Sequence, residues 1–213
     1  MGLTHLAITD HEKLDGALRA RDLAPPGLTV IVGEEVRTNE GDLIGLYLER
    51  PVPAGLSPAD AAAAIHEQGG VVGLPHPFDR FRSSGGARAK ARQGALEELA
   101  GLVDYVEVYN ARAMGGANGR AADFAHEHGL PGVAVSDAHT VLEVGVAYTI
   151  LGSAPTTAAA LLASLPDGDL IMGRGSYFAR AWTPIAKLVQ RSRGNGRRLP
   201  LAPAAAPHGP TSR

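Results

Sequence analysis

Short runs of apolar and β-branched residues alternate along the chain with longer Ala-rich stretches, the pattern of strands and helices built around a largely parallel sheet. Leu3 to Thr9, Leu28 to Val36, Val71 to Leu74, Tyr105 to Tyr109 and Gly132 to Val135 read as strands. Asp15 to Arg21 reads as a short helix. Ser57 caps a helix with Pro58 in its first turn, which runs Ala59 to Gln68 and is stopped by Gly69-Gly70. Further helices are expected near Ala91 to Gly101 and over Asn118 to His128, the second ended by Gly129. Leu43 to Leu48 follows turn chemistry at Asn39-Glu40-Gly41-Asp42 and is read as a hairpin or neighbouring partner of the second strand. Val146 to Leu151 (strand), Thr156 to Ser164 (helix), Leu170 to Met172 (strand) and a helix near Pro184 to Arg191 complete the ordered part. From Ser192 onward Pro, Gly, Ala and Arg recur without period, so residues 192–213 are expected to form a disordered tail.

The polar residues that interrupt this pattern fall at the strand ends. Thr9-Asp10-His11, Gly33-Glu34-Glu35, Pro75-His76-Pro77 and Ser136-Asp137-Ala138-His139 each follow an apolar run. Parallel α/β sheets place their chemistry at that edge. Asp137 and His139, two apart, share one face of an extended segment, as two ligands of one metal or of bridged metals require. Asp10 and His11 are neighbours and point to opposite faces unless the turn re-aims one. The doubled carboxylate Glu34-Glu35 ends a strand expected to be buried, which is costly without a partner or a cation; spacing does not decide which of the two faces inward. His76 stands between two prolines that stiffen its backbone. Asn110 ends its strand either as a turn residue or as an oxygen donor to a metal or substrate, and Glu107 either joins it or pairs with an arginine. His126 and His128, spaced i, i+2 on a helix, lie on different faces and read as complements of a helix C-terminus, as does His66.

Composition narrows the chemistry. With no cysteine among 213 residues, disulfides and thiolate sites are excluded, leaving His, Asp, Glu and Asn as ligands. No apolar run approaches the roughly 18 residues of a membrane span, and no leader precedes the first strand, so a soluble, cytoplasmic protein is expected. A formal net charge of −2 gives no global footprint for nucleic acid. Arg80, Arg82, Arg88, Lys90 and Arg92 nevertheless cluster after His76, in a segment read as a loop that is either solvated surface or a clamp for phosphate. No protein partner is evident.

Taken in order, Leu6-Ala7-Ile8-Thr9-Asp10-His11, Gly33-Glu34-Glu35, Leu74-Pro75-His76-Pro77, Glu107-Val108-Tyr109-Asn110-Ala111-Arg112 and Ser136-Asp137-Ala138-His139-Thr140 resemble the PHP (polymerase and histidinol phosphatase) superfamily, over roughly Leu3 to Leu151. The short form with His76-Pro77-Phe78-Asp79 looks like its metal-dependent phosphoesterases, some of which act on nucleotides and RNA 5′ ends. The resemblance implies a distorted (β/α)7 barrel over residues 1–191, with 140–191 as a C-terminal PHP-associated part. It implies two or three divalent ions, Mn, Zn or Fe, and hydrolysis of a small phosphorylated substrate, nucleotide or RNA end by a metal-activated water. Matched position by position, His11, Glu35, His76, Asp137 and His139 correspond to metal ligands, with Glu35 rather than Glu34 falling on the family's Gly-x-Glu. Asp10, His76 and Asp137 are the implied catalytic residues, and Asn110, Arg80, Arg82 and Arg112 the implied substrate contacts.

One departure accompanies the match. Family members open with a strand carrying His-x-His and a helix, and here Met1 lies only a few residues ahead of Asp10-His11, so about one βα unit of some 30 residues is expected to be missing. The chain as it stands is then expected to be impaired. Two other readings of the residues stand beside this one. The first is an amidohydrolase acting on C–N bonds, because fold does not fix function; the second is a remnant that binds through the basic segment without turnover.

Overall fold

The computed structural model describes residues 2–78 and 94–173. Arg80, Arg82 and the rest of the basic segment through Arg92, the helix expected near Pro184 to Arg191 and the tail 192–213 lie outside the described residues.

Six strands, β1 (His5–His11), β2 (Thr29–Arg37), β3 (Asp42–Leu46), β4 (Val71–Leu74), β5 (Tyr105–Asn110) and β6 (Gly132–Val135), form one curled sheet in sequential order. β1 runs parallel to β2, and β4, β5 and β6 are mutually parallel, while β3 is antiparallel to both of its neighbours. The fold is thus α/β with a partly closed, barrel-like sheet. β7 (Tyr148–Ile150) and β8 (Asp169–Ile171) make a separate antiparallel pair. Thr149 links this pair to the main sheet: its hydroxyl accepts from the Ala134 N–H at 2.9 Å, on the edge of β6 that no strand covers among the described residues.

The helices arise where the sequence places their ends. α1 (Asp15–Asp22) carries Asp15 in its first turn and Arg19 and Arg21 in its last, each favourable to the helix dipole. α2 (Pro58–His66) begins with Ser57 accepting the Asp60 N–H and Pro58 in the first turn. α3 (94–100), α4 (Ala117–Glu127) and α5 (Ala158–Ser164) follow. Thr157 caps α5 by accepting the Ala160 N–H at 3.2 Å.

Side chains of opposite parity along the strands enter two cores. Leu14, Val32, Val36, Ile65, Val106 and Phe124 pack the helices against one face of the sheet. Ile31, Ile44, Val71, Tyr105 and Val133 fill the concave face, closed by Leu161 of α5 and Leu165 beyond it. Gly73 is there because the Tyr105 ring occupies the place of its side chain: a Cβ at 73 would stand 2.2 Å from the ring. β1 begins two residues later than the sequence pattern suggests and continues through His11, which enters the ladder opposite Glu35.

Candidate metal centre

Strand direction gathers the site. β1 and β2 end together, so His11 pairs with Glu35 in register, and their side chains meet at 3.1 Å between Nδ1 and Oε2. Because β3 runs the other way, its first residue, Asp42, lies at the same rim, two positions along from Glu35 on β2, opposite Arg37. One ligand atom from each of His11, Glu35 and Asp42 lies within 4.8 Å of the others. Beyond β4, His76 Nε2 stands 3.8 Å from Glu35 Oε1.

On the β5–β6 side the groups are joined by hydrogen bonds. Glu107 Oε2 accepts from the His76 N–H at 3.0 Å and from the Asn110 amide at 3.1 Å. The same amide nitrogen donates to Asp137 Oδ2 at 3.2 Å, and Asn110 Oδ1 accepts from the Arg112 N–H at 2.9 Å. Asn118 holds both the N–H and the carbonyl of Asn110, fixing the strand end from the first turn of α4. His139 Nδ1 lies 2.9 Å from the Asp137 carbonyl oxygen, which only accepts, so Nδ1 carries a hydrogen and, in the neutral ring, Nε2 holds the lone pair. His76 and Asp137 both adopt left-handed backbone conformations, φ 29° and 47°. Such strain in non-glycine residues costs of order 1–3 kcal/mol each and gathers at functional sites.

Electrostatics distinguish the carboxylates. Burial, with Asp42, Asp137 and Glu107 nearby, raises Glu35 to about 8. Burial likewise raises Glu107, against the pull of His76. Acidic groups that resist ionising together are what a cation would relieve. The donor set suits a divalent metal: imidazoles and carboxylates without thiolate, the ligands of Zn, Mn and Fe sites. His11, Glu35 and Asp42 would hold one ion, with His76, Asp137 and His139 placed around them.

The sequence-derived residues divide accordingly. His11, Glu35, His76, Asn110, Asp137 and His139 come together at one rim. Asp10, on the opposite face of β1, rests on α1, where a Cβ at Gly16 would lie 2.2 Å from its Oδ2. Glu34 is fully buried on the other side of β2 from Glu35; its Oε2 accepts the Val52 N–H at 3.0 Å, and burial raises its pKa. The Arg112 guanidinium bonds Glu143. His128 pairs with Glu97 at 3.3 Å and stacks on Phe124, and His66 bonds Asp104 at 2.9 Å, so neither joins the rim.

Two site residues escaped the sequence reading. Asp42 was absorbed into turn chemistry, although a hairpin after β2 necessarily returns its next strand's start to the rim. Glu143 sits in a short 3-10 turn (Val141–Glu143) where nothing in the sequence marks it as buried. A cleft of about 370 Å³ lined by Leu130, Pro131, Leu165 and Leu170 lies at the opposite end of β6 and carries no titratable side chain, in contrast to the rim.

Comparison with known proteins bears on the family and the fold. Residues 115–170 match the PHP-associated family. The uncharacterized protein MJ0417 of Methanocaldococcus jannaschii is 39% identical over 145 residues, 67% of this chain and 55% of the relative, so the chain spans little more than half of that protein's length. PsfC from Pseudomonas syringae superposes with a TM-score of 0.61 at 18% identity, covering 90% of this chain and 85% of the other. A two-domain protein of Bacteroides vulgatus containing a predicted PHP-like metal-dependent phosphoesterase gives 0.63 at 16% identity, covering 81% and 57%. At these identities the two structures are similar to this chain in fold.

Proposed function

We propose that the chain, whose residues 115–170 match the PHP-associated family, is a PHP-type protein that carries out metal-dependent hydrolysis of a phosphate ester. The observation that carries this reading is the convergence of ligand atoms of His11, Glu35 and Asp42 within 4.8 Å, beside His76 and the Asp137–His139 turn. Four carboxylates at one rim, Glu35, Asp42, Glu107 and Asp137, would repel an anionic substrate if left uncompensated. Divalent ions bound there would neutralise that charge, lower the pKa of a bound water and stabilise charge on phosphoryl oxygens.

The chain's own groups then have separable tasks. His11, Glu35 and Asp42 present donors from three adjacent strands. Glu107 fixes the His76 backbone, so that the imidazole stays near Glu35. Asn110 orients Asp137 by donating to its Oδ2, and Asp137 Oδ1 lies 3.5 Å from His139 Nδ1. A small phosphorylated compound, a nucleotide or an RNA 5′ end is the substrate class this reading supports, with Mn, Zn or Fe as the ion.

The test is phosphate release from a nucleoside bisphosphate and from p-nitrophenyl phosphate by the metal-loaded chain, with amide substrates alongside. Asp137→Ala and His76→Ala are expected to abolish metal-dependent release. Unchanged turnover in both variants, or turnover of the amides alone, overturns the proposal.

A further inference from the structure

Glu143 is 1% exposed, yet its neighbours in the same turn, Val141 and Leu142, are 78% and 86% exposed. A carboxylate sunk beneath a surface turn is unfavourable unless it is fully partnered. Its two oxygens divide the work. Oε1 receives the Arg112 guanidinium, while Oε2 accepts the His139 N–H at 3.0 Å and the Thr140 hydroxyl at 3.1 Å. Those bonds outweigh burial and hold the group below the usual carboxylate range. Arg112 is in turn fixed at its backbone by Asn110, the residue that also bonds Asp137. The end of β5 therefore grips the turn after β6 at two points, Asn110 on Asp137 and Arg112 through Glu143 on His139.

We propose that Glu143 is a positioning residue for the Asp137–His139 ligand pair, acting with Arg112 to lock the turn in which Asp137 takes its left-handed backbone conformation and the His139 ring meets the Asp137 carbonyl. This rests on the metal-centre reading above. Buried ion pairs contribute little net stability against apolar replacements of similar volume, and their attested use is to specify one arrangement. Groups that orient metal ligands without touching the ion commonly govern affinity by 10–100-fold. Asp137 and His139 need such support because the segment from Ser136 to Thr140 has neither helix nor strand to fix it.

Titration of the metal-free chain with Mn²⁺, followed by the EPR signal of the free ion, tests this directly. Glu143→Ala is expected to weaken binding about 10- to 100-fold, with an isotherm that follows that of His139→Ala rather than His11→Ala. An isotherm superposing on that of the unaltered chain, or following His11→Ala, overturns the inference. Should Glu143→Ala fail to fold, Glu143→Gln carries the test. It sets an amide against the Arg112 guanidinium and weakens binding, and adding Arg112→Met removes that conflict and is expected to recover affinity, because the glutamine oxygen still accepts from His139 and Thr140. No recovery overturns the inference. Absence of Mn²⁺ binding by the unaltered chain counts against the hydrolase reading and this inference together, whereas normal binding that is indifferent to Glu143 counts against the inference alone.

Discussion

The two halves of the rim hold similar residues by different means. On the β1–β3 side, His11, Glu35 and Asp42 are brought together by strand register, and the result is electrostatically expensive: Glu35 keeps its proton up to about 8. On the β5–β6 side, Asn110 and Glu143 hold Asp137 and His139 through directed hydrogen bonds, and Glu143, itself buried, is ionised more readily than usual. One half is organised by backbone register, while in the other Arg112 compensates the buried Glu143 and hydrogen bonds orient the carboxylates that remain. Pre-organisation and stored repulsion thus coexist at one rim.

The contrast can be broken most severely at Glu35, which faces both halves. If the proposed centre supplies several kcal/mol to the transition state, Glu35→Ala removes one of its ligands and metal-dependent kcat/KM is expected to fall on the order of 10³-fold, measured by phosphate release at saturating metal. A residual activity within tenfold of the parent would place the ion elsewhere.

The stored repulsion is visible without any substrate. A carboxyl whose folded pKa is raised holds its proton where the unfolded chain has released it, so its contribution to stability is complete below about 4.5 and is lost as pH rises through about 8. Metal-free protein should therefore unfold more easily at pH 9 than at pH 5, by on the order of 3 kcal/mol. Glu35→Gln should flatten the dependence in urea titrations at the two pH values. A parent protein with equal midpoints at both would show that the site is not strained.

On the pre-organised side, Asn110→Ala frees Asp137 while leaving every proposed ligand in place, and a loss of about 10- to 100-fold in metal affinity is expected, read by calorimetric titration. The smallest effect lies behind that half. Thr149→Val leaves the Ala134 N–H without its hydroxyl acceptor and should cost about 1 kcal/mol in urea unfolding, with metal affinity unchanged.

Much of this arrangement was legible because strand periodicity and polar punctuation agree. The apolar runs before His11, Glu35, His76 and Asp137 each end at the rim, and the alternation of neighbours explains why Glu35 joins the site while Glu34 goes to the Val52 N–H. The same alternation separates His11 from Asp10, which the family pattern had grouped with the catalytic residues and which the fold rests against Gly16. What the sequence concealed depends on pairing. Asp42 reaches the rim only because β3 is reversed, a property of three strands rather than of the residue's own surroundings. Glu143 is buried only because Arg112, 31 residues earlier, is there to meet it. His76 and Asp137, both at positive φ, are met by Glu107 and Asn110 from a distant strand, a pairing no local propensity encodes.

The reversed strand also bears on when the centre assembles. Glu35 and Asp42 are joined by the tight turn in which the Thr38 hydroxyl and backbone N–H both reach the Gly41 carbonyl at 2.7 Å. Their approach closes a loop of only a few residues, whereas Glu107 meets His76 across 31 residues and Asn110 meets Asp137 across 27. Short closures carry the least entropy and form within microseconds. During synthesis, then, Glu35 and Asp42 can come together while the strands bearing Asn110 and Asp137 have yet to be made.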